Sequence, residues 1–331
     1  MLIWLVKFEE DLPIDKNPYK HRMTMLAESL LRNGHKVTRW ASSHNHNLSK
    51  SRSKGSKIFD VSENYKIHLI RSLVHYNKRA GIKRLLNIYI SSFLMFYKFL
   101  KCSKNERPDI IVCSMPSPIN CLICAIYSYI FNIKFVIDAR DMWPEVFINE
   151  AKNYKKILIL PLTLLMRVEL YISTILADAL YGITENFVDY ILSFSKRKKS
   201  KYDQSFPIGF DRSFSYPEKE SEMFWQDKGI NFEKKIIYFA GEISSTVFDA
   251  SDIVKRAMKK AEINNLDSLL VFCGDGIMLD SLKKKMSELK NVIFVNRVEP
   301  GYLDYLKRRS TIGLLCISNR IDYESSLSNK I

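Results

Sequence analysis

The chain has 331 residues, of which 47% are hydrophobic, enough to bury two domain cores and too apolar for a disordered chain. Its formal charge of +15 calls for an anionic partner, but no helix-turn-helix, zinc-finger or RNP-like pattern accompanies the charge, which argues against nucleic acid. The excess is uneven, because residues 1–200 carry 31 Lys and Arg against 17 Asp and Glu, whereas residues 201–331 carry 20 against 19.

Met1 to Val6 predicts a first strand, too short to be a signal-peptide core and followed at once by Lys7 and the acidic Glu9, Glu10 and Asp11, so the chain is expected in the cytoplasm. The loop from Phe8 to Pro18 has acids and prolines but no glycine to cradle a phosphate. Tyr19 to Arg32 predicts an amphipathic helix ended by Gly34, and His35 to Ala41 a second strand, which opens a parallel α/β sheet. Ser42 to Gly55 reads as an exposed polar loop, in which His44 and His46 could touch a metal or a substrate or do neither. Lys66 to Arg71 is a further strand.

Ile82 to Leu100 predicts a helix apolar almost all round with Lys or Arg at both ends. Burial in the core and a position in a lipid interface are both open for it. This run, Cys121 to Ile137 and Ile157 to Met166 are each too short, or too interrupted by Lys, Asn or Pro, to predict a membrane span. Ile110 to Cys113 predicts a buried strand. The six cysteines sit mostly in apolar runs, as small hydrophobes in a reducing compartment, and the Cys121–Cys124 pair lacks the partners of a zinc set.

Phe135 to Ile137 predicts a strand that breaks into Asp138, Arg140 and Asp141 before Trp143-Pro144. Ligands of open α/β sheets bind at the carboxyl ends of strands, and two carboxylates three apart with a guanidinium suit a reacting hydroxyl beside a phosphate. A salt-bridged loop with an aromatic plug would use the same residues. Lys155 to Asp178 predicts a long apolar helix, Ala179 to Gly182 a strand, and Thr184 the cap of a helix reaching Leu192. Ser195 to Asp203 reads as an exposed basic turn near a domain boundary.

The second half repeats the alternation, with strands at Ile236 to Ala240, Ser268 to Cys273, Val292 to Asn296 and Thr311 to Ile317. Helices are predicted at Asp249 to Ile263, Ile277 to Leu289 and Pro300 to Arg309. Gly241-Glu242, Gly274-Asp275-Gly276 and Asn296-Arg297 follow three of the strands, where helix N-termini could take a diphosphate.

Together WLVKFEEDLPID, RxxxLAESLLRNGHKVTRWASSHNH, ERPDIIVCSMPSP, IDARDMWPEVF, FPIGF, FCGDG and SSLSNKI resemble a bacterial GT-B glycosyltransferase of family 4, across nearly the whole chain. The resemblance implies an α/β GT-B fold of two Rossmann-like, doubly wound domains facing a cleft, with boundaries expected at 1–204 and 205–331. It implies a retaining transfer of sugar from a UDP- or GDP-linked donor to a lipid-linked glycan in capsule, O-antigen, lipopolysaccharide or exopolysaccharide synthesis. No cofactor and no metal are expected; the partners are the nucleotide sugar, the acceptor and an anionic membrane surface, and the expected place is the inner face of the plasma membrane, held peripherally.

Carried over residue by residue, Asp141 orients the acceptor hydroxyl, Asp138 braces the turn, and Arg140, His21, Arg22 and His46 meet the acceptor. Gly241, Ser244 and Ser245 approach the donor phosphates, Gly274 and Asp275 line the cleft, Arg297 and Val298 border the base, and Ser328, Asn329 and Lys330 contact the diphosphate. Three departures stand against this pattern. FEEDLPID replaces the usual glycine pair, no basic residue follows Ala240 before Lys255, and the family pattern continues past Ile331 into a glutamate-bearing helix, so the second domain is expected to be incomplete. A chain cut short in that way could instead serve as a binding or scaffold subunit of a polysaccharide assembly complex.

Overall fold

The computed structural model describes residues 1–16, 18–45, 50–74, 81–151, 154–209 and 216–316, and these form two compact units, the first ending at Gly209. The first unit is built on β1 (Leu2–Val6), whose alternate side chains leave on opposite faces: Trp4 and Val6 enter one core, Ile3 and Leu5 the other. Helix α1 (Arg22–Arg32) starts three residues later than its apolar pattern begins, and it ends before Gly34, which takes the left-handed φ of 76° that only glycine adopts without a Cβ clash.

Strand β2 (Lys36–Ser42) pairs parallel to β1. The segment after it is exposed only in part, since Ser42 to Asn45 are buried. It forms a small hairpin of β3 (His44–Asn45) and β4 (Lys50–Ser51), with His44 buried and the Arg52 guanidinium held by Asp15 at 2.7 and 2.8 Å. Next come β5 (Lys57–Ser62) and β6 (Tyr65–Ile70), β5 being an exposed antiparallel edge that charged residues blunt against stray pairing. Helix α2 (Ile82–Lys101), β7 (Ile110–Ser114), α3 (Pro118–Phe131) and β8 (Lys134–Ala139) follow.

The rest of the unit is α4 (Glu145–Glu150), α5 (Tyr154–Leu176), β9 (Ala179–Gly182), α6 (Glu185–Ser195) and β10 (Gln204–Ser205). Thr184 is the N-cap residue of α6, although its side chain makes no capping hydrogen bond. Asp203, expected in an exposed turn, is buried and receives Arg197 at 2.7 and 2.9 Å. The sheet runs β10-β9-β8-β7-β1-β2-β6-β5, parallel except at β5. Strand order turns around between β1 and β7, the place where a doubly wound sheet opens a crevice at its carboxyl edge.

Helices α2, α3, α5 and α6 share one core on a single face of this sheet, centred on Trp4, Trp40, Phe99, Tyr127 and Phe135, while α1 covers the other face. Cys113, Cys121 and Cys124 are packed in the first of these cores. Contrary to the expectation from the apolar runs, among the described residues one helix is long and apolar enough to cross a membrane, Lys156–Leu176 within α5, with a mean hydropathy of 1.6, although 33% of its apolar window is packed inside the unit.

Glu169 of α5 is 2% exposed, and burial raises its carboxyl to about 7, with the neighbouring Tyr89 hydroxyl offsetting part of the shift. Raised above its unfolded value of 4.5, this group favours folding most when protonated, so its contribution falls as pH rises from about 4.5 to 7. Glu169→Gln is therefore expected to stabilise the protein at pH 8 by up to about 3 kcal/mol and to flatten that pH dependence, read by urea denaturation from about pH 5 to about pH 8.

The second unit has α7 (Glu218–Gln226), β11 (Lys235–Ala240), α8 (Ser245–Ile263), β12 (Ser268–Cys273), α9 (Leu279–Met286), β13 (Val292–Val295), α10 (Pro300–Arg309) and β14 (Ile312–Gly313). Its all-parallel sheet runs β13-β12-β11-β14, so strand order reverses beside β11. Two cores flank it, one around Trp225 and Tyr305, the other around Phe239, Phe272 and Leu282.

Candidate active site

At the carboxyl edge of the first sheet, charged side chains from four elements meet at the turn-around of strand order. Lys7, directly after β1, is buried and donates to the Met115 carbonyl beyond β7. Burial, reinforced by the Arg140 charge, lowers its amine to about 8. Glu10 joins the strands together: Arg39 of β2 donates to it at 2.6 Å and Arg140, after β8, donates to its other oxygen. Burial alone would raise the Glu10 carboxyl, but Arg140 and Arg39 outweigh it and hold the group at about 2. Arg84 at the start of α2 donates to Glu9 at 2.9 Å and lies over the Trp143 ring, 5.7 Å from its centroid.

Asp138 is the fifth residue of β8 rather than part of the loop after it. It is buried, and Arg22 Nε donates to its Oδ1 at 3.1 Å with a terminal guanidinium nitrogen ion-paired at the same distance, while Oδ2 has no hydrogen-bond partner among the described residues. Arg22 also donates to the carbonyls of Phe206 and Pro207 at 2.6 and 3.0 Å, so it ties α1 to β8 and to the segment after β10. His21 is the N-cap residue of α1, with Nε2 3.8 Å from Asp11. Asp141 accepts from the Met142 amide at 3.0 Å and so shapes its own turn. The following Trp143-Pro144 is pinned by the Tyr190 hydroxyl, which donates to the Trp143 carbonyl at 2.7 Å.

Of the acceptor-side residues drawn from the sequence, Asp138, Arg140, Asp141, His21 and Arg22 all come to this edge. His46 lies outside the described residues. Arg140 and Arg22 are engaged in the fold, so each offers an incoming phosphate only its remaining donors. Lys7, Glu10 and Arg39 were not singled out; the signal was the acid-rich stretch after β1, whose partners only strand pairing reveals.

In the second unit, the ends of β11 and β12 are in backbone contact. The Gly241 amide donates to the Cys273 carbonyl at 2.9 Å and the Ile243 amide to the Asp275 carbonyl at 2.9 Å. Gly274 has φ 143°, and a Cβ there would stand 1.9 Å from the Gly241 carbonyl oxygen, so the two turns fit only as bare backbone. Ser244 is the N-cap residue of α8 and Ser245 its first residue; neither is buried, and Ser244 makes no side-chain capping bond. Amides at such a helix start attract phosphate oxygens.

Arg297 and Val298 stand after β13, where they line an open cavity of about 470 Å³ with Phe224, Lys228 and Lys283. The two lysines and the phenylalanine are cavity residues that the sequence pattern did not mark. Ser328, Asn329 and Lys330 lie outside the described residues.

Two Rossmann-like α/β units in one chain, each with its loops gathered at the carboxyl edge of a parallel sheet, are the GT-B fold. Among solved structures the chain is similar to the catalytic domain of starch synthase IV from Arabidopsis thaliana bound to ADP and acarbose, at 9% identity and a TM-score of 0.61, covering 93% of this chain and 76% of that one. It is likewise similar to Anabaena HepE in complex with UDP-glucose, at 10% identity and TM-score 0.56, covering 95% and 73%. A third such structure is WaaG, a glycosyltransferase involved in lipopolysaccharide biosynthesis, at 13% identity and TM-score 0.56, covering 94% and 74%. No family profile matches the sequence, and no curated protein matches it.

Proposed function

We propose that this protein is a family 4 type glycosyltransferase that moves a hexose from a nucleotide sugar to a hydroxyl of a lipid-linked oligosaccharide, with retention of configuration, in bacterial surface polysaccharide synthesis. The observation that carries the reading is the pair of side-chain-free turns at Gly241 and Gly274 beside the start of α8, which suits a diphosphate. The structures of similar fold that hold ADP or UDP-glucose support a nucleotide-sugar donor.

In this reading backbone amides of the second unit and the hydroxyls of Ser244 and Ser245 take the donor diphosphate without a metal ion or cofactor. Arg297 and Val298 border the base. The C1–O bond of the donor breaks as the acceptor oxygen bonds to C1 on the same face, and the acceptor proton passes to the departing phosphate. Positive charge builds at the sugar meanwhile, and stabilising the leaving diphosphate supplies much of the rate. Asp141 orients the acceptor hydroxyl, Asp138 fixes the turn through Arg22, and the remaining donors of Arg140 face the acceptor phosphate. The lipid-linked acceptor places the protein peripherally at the inner face of the plasma membrane.

The test is thermal stabilisation by UDP, GDP and their sugars, followed by transfer to lipid extracted from a polysaccharide-producing strain. Stabilisation and labelled product are expected; no stabilisation by any nucleotide would favour a non-enzymatic binding subunit instead. Asp141→Asn is expected to lower turnover about a hundredfold, the scale of losing the orientation of one reactant, and to leave nucleotide affinity unchanged. Wild-type turnover in that variant removes Asp141 from the chemistry.

A further inference from the structure

Helix α5 is built the wrong way round for a helix that water covers. The side it packs against α3 and α6 carries Thr163, Met166, Glu169, Leu170, Ser173 and Thr174, four of them polar or charged. The opposite side carries Leu158, Leu164, Leu165, Val168, Tyr171 and Ile175, each at least 48% exposed. A surface helix normally shows the reverse distribution. Within it Leu164, Val168, Tyr171 and Ile175 recur every three or four residues, and the first three wall a cavity of about 600 Å³ with Arg167, Glu145 of α4 and Tyr190 and Phe194 of α6.

Helix α2, in the same helix layer, repeats the arrangement. Asn87, Ser91 and Ser92 are buried beneath it, while Leu86, Phe93, Tyr97 and Leu100 are exposed. An apolar outer face of this extent exceeds what single surface residues explain. Its charges are mostly basic, the acid beside it being Glu145 of α4, which is ion-paired with the exposed Arg167 of α5 at 2.9 Å. Helix α2 contains no acid and carries Lys83, Lys98 and Lys101, Lys156 opens α5, and the one acid within α5, Glu169, is buried on the inward side. Apolar side chains flanked by amines match the boundary of an anionic bilayer, where acyl chains take the former and lipid phosphates attract the latter.

We infer that the outer faces of α2 and α5 form one lipid-docking surface, on which the protein lies against an anionic bilayer with α5 in the plane of the interface rather than across it. The inward Glu169, Ser173 and Thr174 keep α5 attached to its own domain, since turned outward they would have to enter hydrocarbon. This deepens the peripheral placement proposed above. It is read out by lipid binding and not by sugar transfer, so either can fail while the other stands.

The experiment is sedimentation of the full chain with vesicles of phosphatidylcholine alone or mixed equally with phosphatidylglycerol. Binding to mixed vesicles is expected. Leu164→Glu with Val168→Glu should lower the partition coefficient by at least about tenfold on either vesicle, because both positions are exposed and the loss is one of apolar contact. Lys98→Glu with Lys101→Glu should lower it only when phosphatidylglycerol is present. Circular dichroism and monomer mass by ultracentrifugation accompany each variant. Wild-type binding by the first variant, absence of binding by the wild-type chain, or a wild-type dimer that Leu164→Glu dissociates without change in lipid binding would each overturn the proposal, the last in favour of a second copy as the occupant.

Discussion

Glu10→Ala is expected to destabilise the first unit by about 3–5 kcal/mol, the usual cost of removing one partner from a buried ion pair. Arg39 is 0% exposed, and Glu10 is its only carboxylate partner among the described residues, so the variant leaves a guanidinium in the interior with a single hydroxyl acceptor, Thr24 at 3.0 Å. Arg140 loses the same partner. Because the Glu10 carboxyl is held at about 2, below its unfolded value of 4.5, its stabilising effect is complete above about pH 4.5 and is lost as pH falls through 2. Wild-type stability measured by denaturant titration should therefore fall through that acid window more steeply than that of Glu10→Ala. Adding Arg39→Met to Glu10→Ala should recover part of the loss, since it removes the charge left unpaired. A single variant as stable as the wild type at pH 7 would show that the network does not hold the strand ends together.

Gly274→Ala is the second change of large expected effect. Its Cβ would overlap the Gly241 carbonyl oxygen at 1.9 Å, which is fixed backbone at the end of β11, and the residue would also have to hold φ near 143°. No rotamer change relieves either. A loss of about 3 kcal/mol or more in the second unit is expected, at the severe end for a single substitution. Hydrogen exchange read by mass spectrometry should show faster exchange across β11 and β12 and little change in the first unit. Nucleotide-induced thermal stabilisation should vanish in parallel, since the same turn lies beside the start of α8.

Most parallel strands were legible because each is a short apolar run bounded by glycine, proline or acids; Ala179–Gly182 and Ser268–Cys273 match residue for residue. What escaped shares a physical reason. Strand β5 carries exposed and charged residues because it pairs on one side only, and α7 has four charged residues among its nine and buries only Ser221 and Trp225. Neither has the apolar rhythm that local reading relies on. Ser42 to Gly55 looked solvated, but the partners that hold the Arg52 guanidinium, Asp15 and the Glu10 carbonyl among them, lie some thirty to forty positions away in sequence. In the candidate site, Asp138 to Asp141 could be picked out from a strand ending in charge. The pairing that gives those charges their partners depends on β1, β2, β7 and β8 being neighbours, which no local pattern states.

The charge network at the first sheet edge also determines where the basic excess of residues 1–200 resides. Lys7, Arg22, Arg39, Arg52, Arg84 and Arg140 are matched there by as many carboxylates, Glu9, Glu10, Asp11, Asp15, Asp138 and Asp141. The site is close to electroneutral, and the whole surplus of positive charge is carried by the remainder of that half. Added salt acts differently on the two: the buried pairs are sheltered from mobile ions, whereas exposed lysines lose their reach once the Debye length shrinks to about 10 Å at 0.1 M. Ionic strength thus becomes a control that weakens long-range attraction to an anionic partner while leaving the geometry of the sheet edge in place.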